Sequence, residues 1–253
     1  KNVEKIDIKD LSFRYPGSDK KVLSGISMKI TKGEMVGITG EVGSGKSTFL
    51  DLLSGLLTPE PGMIFINDID ISKMAKDKLH SLFSVVSQEP FLFSGTISEN
   101  ISIGMEEIDD EEIRKTISIA SLDTDVNSFP DKYQQRVGER GITLSGGQKQ
   151  RMAIARALAN PSPVLLFNDP LSSVDSETET KILSNLKKMR ERGDENIFDT
   201  VFIISHRISA LKECDNIYVF KDGKILESGN HSELIKNRGK YYLISMMQQM
   251  ENG

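Results

Sequence analysis

The chain has 253 residues, 38% hydrophobic and 27% charged, enough for one large α/β domain or two small ones. A net charge of −5 gives no basic surface with which to hold nucleic acid or an anionic membrane, and a single cysteine, Cys214, excludes a disulfide framework and fits a reducing cytosol. No apolar run approaches the roughly 20 residues that span a bilayer, and no signal peptide precedes the first strand, so any membrane role is expected to pass through something outside this sequence.

Ile6 and Ile8 with Phe13 and Tyr15, then Ile26, Met28 and Ile30, alternate with period two and predict half-buried antiparallel strands. Met35–Ile38 reads as a buried strand running into Gly40. Phe49, Leu50, Leu52, Leu53, Leu56 and Leu57 then repeat at helical spacing, so strand, glycine loop and helix follow in order. Residues 61–66 predict another strand. From about Glu99 to Ala159 helical segments dominate, Glu106 to Leu122 among them, with no convincing strand; this is expected to be a helical subdomain inserted in the core. Strands resume at Val164–Phe167 and Val201–Ile204 around a helix from Ser176 to Arg190, the order of a parallel sheet. Asp222-Gly223 predicts a hairpin turn between Ile217–Phe220 and Ile225–Leu226, and a terminal helix is expected from Ser232 to about Met250. The expectation is one α/β domain over 1–253: an N-terminal β subdomain with the phosphate-loop core (1–98), a helical subdomain (99–160), and the rest of the core with the last helix (161–253).

Gly40-Glu41-Val42-Gly43-Ser44-Gly45-Lys46-Ser47, followed by Thr48, fits G-x-x-x-x-G-K-[ST] in the strand–loop–helix setting that the pattern requires. Its glycines let successive backbone N–H groups converge on phosphate oxygens, and the helix beginning near Gly45 adds its positive dipole end. Lys46 is expected to reach the β- and γ-phosphates, and the Ser47 hydroxyl to hold Mg²⁺.

Leu144-Ser145-Gly146-Gly147-Gln148 precedes a helix rich in Ala and Arg. Alone, Ser-Gly-Gly is a common turn. With the phosphate loop upstream it closely resembles the signature sequence of ATP-binding cassette proteins, whose Ser and Gly at a helix start hold the γ-phosphate of an ATP seated on the opposite subunit. The resemblance runs over nearly the whole chain and implies a P-loop NTPase of that type, with an antiparallel β subdomain, an inserted helical subdomain, and MgATP as ligand. It implies that Tyr15 stacks on adenine, although a strand-end Tyr is also ordinary core. It implies that Gln88 senses Mg²⁺ and a transmembrane partner, that Ser172-Ser173-Val174-Asp175 couples two sites (or merely caps a helix at Asp175 or Ser176), and that His206 is a switch residue on the γ-phosphate. A switch residue there agrees with where a doubly wound sheet places ligand contacts. His80 and His231 have no such setting.

Phe91–Ile97 and Val137–Gly141 look like the segments that, in exporters, face intracellular loops of the membrane domains; Phe91 and Phe93 are equally open to being core of the helical subdomain. The family's second nucleotide motif is an apolar strand ending in Asp-Glu, but here Val164–Phe167 ends in Asn168-Asp169-Pro170. Counting back from Ser172–Asp175 sets Asn168 at the Mg²⁺-supporting Asp and Asp169 at the water-polarising Glu. Asn168 offers a dipole where hard cations favour carboxylate, and Asp169 is one methylene shorter than a base that must come within about 2.6–3.2 Å of its water. A shifted register would make Asp169 the metal carboxylate and put Pro170 at the base position, which also removes the base. Hydrolysis at this site is therefore expected to be weak. Such a pattern resembles one half of heterodimeric exporters. It implies a non-identical second nucleotide-binding domain and transmembrane domains as partners, on the cytoplasmic face of a membrane, with the chain alone soluble. A soluble cassette ATPase without a membrane partner, and a regulatory nucleotide switch without turnover, are the competing readings.

Overall fold

The computed structural model of the chain describes residues 2–105, 109–160, 162–192 and 198–251. Its first pair of strands follows the alternation. In β1 (Lys5–Phe13) Ile6, Ile8 and Leu11 are buried, and in β2 (Leu23–Thr31) so are Leu23, Ile26, Met28 and Ile30. The two pair antiparallel, with Ile6 opposite Ile30 and Ile8 opposite Met28. Leu11 would point outward in an unbroken strand. A bulge between Ile8 and Leu11, with Asp10 at φ 47°, returns it to the buried face. Tyr15 lies beyond this strand, not at its end in the ladder: β1 stops at Phe13 and Pro16-Gly17 turns the chain away.

Next, the wholly buried β3 (Met35–Gly40) runs through a glycine loop into α1 (Lys46–Leu53). The expected extension of α1 to Leu57 does not form. Gly55 turns left-handed at φ 81°, the Leu57 N–H closes back on the Asp51 carbonyl at 2.9 Å, and Leu56 is left exposed. Of the expected strand at 61–66 only β4 (Ile64–Ile66) is extended, because Pro61-Gly62 makes the turn before it. With β5 (Ile69–Asp70) it completes a sheet of order β2-β1-β4-β5.

After α2 (Lys76–His80) come β6 (Phe83–Val86), β7 (Gly95–Thr96) and α3 (Ile97–Ile101), then α4 (Asp110–Ile119) and α5 (Asp123–Ser128). Asp109 caps α4 by accepting from the Glu111 and Glu112 N–H groups, and Ile113 and Ile117 form its buried stripe. The start of the expected helix at Glu106 lies outside the described residues. One expectation fails in this segment: β8 (Arg136–Val137) is a strand, pairing antiparallel with β7 so that Gly95 faces Val137. At two residues it is too short for period-two patterning to reveal.

The remaining elements are α6 (Gly146–Ala159), β9 (Val164–Asn168), α7 (Ser176–Arg192), β10 (Thr200–Ile204), α8 (Ile208–Leu211), β11 (Asn216–Lys221), β12 (Lys224–Gly229), α9 (His231–Asn237) and α10 (Lys240–Glu251). The expected single terminal helix is thus two, because Arg238 adopts φ 53° and ends α9. The Asp222-Gly223 hairpin forms as expected, both residues at positive φ (49° and 75°), which suits the twist of β11 and β12.

The chain divides into two units, 1–83 with 199–253, and 84–198. In the first, β3 lies between β10 and β11 and is parallel to both, and β12 adds an antiparallel edge. Phe49 of α1 packs on Phe202 and Phe220 beneath the glycine loop. In the second unit, β9 neighbours β6, and α6 is buried among α3 and α4 through Met152, Ile154, Ala155 and Leu158.

Candidate functional site

Within the first unit, glycine is compulsory at two points of the loop between β3 and α1. Gly40 is at φ 143° with β11 alongside, and a Cβ there would lie 2.1 Å from the Phe220 carbonyl oxygen. Gly45 is at φ 98° and a Cβ would lie 2.6 Å from a Leu23 methyl. Gly43, also left-handed (φ 79°), instead faces open space, so its backbone can be approached by a ligand without obstruction. The β11–β12 turn supports the loop from outside, the Gly223 N–H donating to the Ser44 carbonyl at 3.2 Å. As N-cap of α1, Gly45 makes no side-chain cap for the helix's first amides, the arrangement that suits an anion at the helix start.

Lys46 is buried, and its ammonium donates to the Gly40 carbonyl at 2.9 Å and the Glu41 carbonyl at 2.8 Å. A full positive charge is thus held against carbonyl dipoles at the mouth of the loop, where a phosphate oxygen offers it a charge-assisted bond. Ser47 is exposed one residue further on. Tyr15 is brought to the same place: it is 39% exposed, its hydroxyl is 3.0 Å from the Thr48 hydroxyl, and its ring meets Phe13 edge-on. Its reading as ordinary core fails. His206 is exposed just past the end of β10, where the Ser205 N–H still bonds the Ile38 carbonyl of β3 at 3.1 Å.

In the second unit, Ser145 is the N-cap of α6 and forms a capping box with Gln148: the Gln148 N–H donates to the Ser145 hydroxyl (3.2 Å) and the Ser145 N–H to the Gln148 side chain (2.8 Å). Because the hydroxyl accepts here, it keeps its own proton to give to an anion. The two glycines have a steric reason. A Cβ on Gly147 would lie 2.9 Å from the Ser173 carbonyl oxygen, and one on Gly146 3.4 Å from the Ser173 Cβ. The Ser172–Asp175 loop therefore lies directly against the start of α6. Asp175 does cap α7, accepting from the Thr178 N–H at 2.9 Å, and that bond holds its carboxyl below the usual range.

Four residues in this unit escape the motif reading. Gln150 is buried, and its amide donates to the Ser172 hydroxyl (2.9 Å) and the Gln88 carbonyl (3.3 Å) while accepting from the Ser173 N–H (2.9 Å). It binds the Gln88 loop, the 172–175 loop and the α6 helix into one cluster; Gln88 itself is exposed. Its one signal in the sequence is a polar side chain in phase with the buried Ala153, Ile154 and Ala157. Asp125 accepts from Gln148 (2.8 Å) and from Arg151 (2.6 Å), steadying the signature from α5. Arg156 donates to the Phe91 carbonyl at 2.8 Å and to the carbonyl and side chain of Asn100 at 2.8 and 2.9 Å. Asn100, buried, brackets Phe93 by accepting from its N–H and donating to its carbonyl, both at 2.9 Å. Phe91 and Phe93 are 53% and 48% exposed with their rings 5.0 Å apart, so the core reading of this pair fails. The β7–β8 pairing sets their segment beside Val137–Gly141, and Leu92 is buried under Gly141.

Asn168 is the last residue of β9, half-buried, and Asp169 follows in the left-handed region at φ 50°. Among the described residues no group of three or more His, Cys, Asp or Glu side chains gathers to hold a metal.

The family profile described as ABC transporter matches residues 23–172. The chain is 41% identical over 237 residues to the multidrug resistance-like ATP-binding protein MdlA of Buchnera aphidicola, covering 94% of this chain and 40% of that protein. It is 37% identical to human ATP-binding cassette sub-family B member 5, covering 97% of this chain and 19% of that one. A solved bacterial Atm1-family ABC exporter with ATP bound matches with a TM-score of 0.90 at 33% identity, over 98% of this chain and 42% of that one. The chain thus spans well under half the length of the relatives it matches.

Proposed function

The chain belongs to the ABC transporter family, and on that premise we propose that it is the nucleotide-binding domain of an exporter: it binds MgATP, pairs head-to-tail with a second such domain, and hydrolyses its own ATP weakly. The family relation supports ATP binding and hydrolysis in general, the MdlA relative is a multidrug resistance-like ATP-binding protein by name, and the solved structural neighbour is an exporter by name. The observation that carries the reading is the buried Lys46 ammonium lying on the carbonyls of Gly40 and Glu41 beside the open Gly43 backbone. A triphosphate replaces those dipoles with anionic oxygens.

In this reading Tyr15 stacks on adenine, the backbone of residues 40–48 wraps the phosphates, and Lys46 sits on the β- and γ-phosphates. Ser47, Gln88 and Asn168 hold Mg²⁺, which when bound neutralises phosphate charge. His206 touches the γ-phosphate, and Asp169 orients water from one methylene too far back. Ser145, Gly146, Gly147 and Gln148 face the nucleotide of the opposite, non-identical domain. Transmembrane domains dock on the exposed Phe91–Phe93 segment, which places the chain on the cytoplasmic face of the membrane. Asn168 and Asp169 also favour a switch without turnover; Lys46, Gln88 and His206 favour an enzyme.

Pairing is tested by sedimentation velocity of the chain mixed with a candidate second domain. MgATP is expected to drive the pair together and MgADP to leave the two apart; equal association in both nucleotides contradicts the γ-phosphate-centred reading.

A further inference from the structure

The last helix has no place in the nucleotide chemistry described above, yet both of its ends reach loops of the nucleotide side. At its start, the Lys240 ammonium is 2.8 Å from the Glu41 carboxylate of the phosphate loop and holds that carboxyl below the usual range. The pair is exposed and contributes little by itself. Near its end, the Gln248 side chain closes on the segment after β10. Its oxygen accepts from the Ile208 N–H at 2.9 Å, and its nitrogen donates to the His206 carbonyl at 2.6 Å.

Two bonds from one planar amide, spaced two residues apart, fix the backbone on both sides of Arg207 and so fix where the His206 Cα sits. Local structure contributes the bond from the Arg207 N–H to the Ser205 hydroxyl at 3.0 Å, on the strand side of this segment. Arg207, the N-cap of α8, makes no side-chain cap, and the chain leaves β10 at an exposed position. Gln248 gives α8 the acceptor that its first amide otherwise lacks. Nor is α10 a loose support: Tyr241 is fully buried with its hydroxyl 2.9 Å from the His231 ring, and Ser245 is buried one turn before Gln248.

We propose that Gln248 is a positioning residue for the switch histidine, and that α10 acts through it as a brace that presets His206 for a γ-phosphate. The proposal rests on the reading of His206 as the γ-phosphate contact. Without the two bonds of the brace, less of the segment 206–208 is fixed in advance, and the cost of ordering the remainder when ATP binds is subtracted from ATP affinity. ADP has no γ-phosphate and does not draw on it.

The test measures MgATP and MgADP affinity of the whole chain by fluorescence titration, for Gln248→Ala, His206→Ala and the double variant, with thermal melting as the control for folding. Gln248→Ala is expected to weaken MgATP about fivefold, the weight of one or two net hydrogen bonds, and MgADP less than about twofold. In the His206→Ala background the same change should add no further loss. Gln248→Glu keeps the acceptor for Ile208 but turns a carboxylate on the His206 carbonyl, so it should weaken ATP at least as much while filling the same space; it carries the test if the alanine variant folds poorly. An equal loss for ATP and ADP, or a loss that persists undiminished without the imidazole, overturns the positioning role and leaves the reading of His206 standing. If His206→Ala itself leaves the ATP-over-ADP preference unchanged, the reading of His206 falls and the brace falls with it.

Discussion

Lys46→Ala is expected to weaken MgATP binding on the order of a hundredfold while adenosine binding changes little. The ammonium is buried and already held by two loop carbonyls at 2.8 and 2.9 Å, so little ordering cost remains when phosphate oxygens replace them. Charge-assisted hydrogen bonds of this kind are worth about 1.5–3 kcal/mol each, and more than one is lost. Alanine also removes the tie between α1 and the start of its own loop, so melting should be followed alongside. The measurement is titration calorimetry with MgATP and adenosine. An ATP affinity unchanged in a folded variant contradicts the assignment of the loop.

Ser145→Arg is expected to remove most ATP turnover of the chain paired with its partner, on the order of a hundredfold, the scale of losing one donor aimed at transition-state charge. In the proposed head-to-tail pairing this serine lies over the partner's nucleotide, and with the chain's own site proposed to hydrolyse weakly, most turnover is expected there. A guanidinium side chain occupies the space of the γ-phosphate and deletes the hydroxyl. It also breaks the capping box with Gln148, which alone costs about 1 kcal/mol; Ser145→Ala, which loses the same box and hydroxyl without the bulk, separates that part from the steric one. Lys46→Ala in the same pair should lower turnover less, since it disarms the site that contributes less chemistry. Equal losses would indicate two equivalent sites, and a larger loss from Lys46→Ala reverses the division of labour.

What the sequence reveals here is what depends on near neighbours. The strand–glycine loop–helix order around Lys46 and the Ser145 helix start are each written in fewer than ten residues, and the backbone they require is glycine-specific at Gly40, Gly45 and Gly147. The Asp222-Gly223 turn is local in the same way. Gln150 and Gln248 are not, because their partners lie up to 62 and 42 residues away, and a lone glutamine in a helix carries no mark of what it will meet. Arg238 ends α9 although arginine is a good helix former; just beyond the break the Glu227 carboxylate accepts from the Lys240 N–H, a tertiary bond that propensity does not foresee. The β7–β8 pair is invisible for want of length. Tyr15 was legible in part: its neighbours Pro16-Gly17 mark a turn, but the hydroxyl contact with Thr48 comes only from the fold.

Steady-state MgATP hydrolysis, compared between the chain and its Asn168→Asp/Asp169→Glu variant under the same pairing conditions, bears most directly on the claim that this site holds ATP better than it consumes it. The first change restores an oxygen charge for Mg²⁺, and the second moves the carboxylate one methylene towards its water, a displacement whose absence costs on the order of a hundredfold in comparable sites. Turnover about tenfold or more above the unaltered chain is predicted, with the single Asn168→Asp change between the two. A double variant that is folded, binds MgATP and hydrolyses it no faster than the chain itself contradicts the claim.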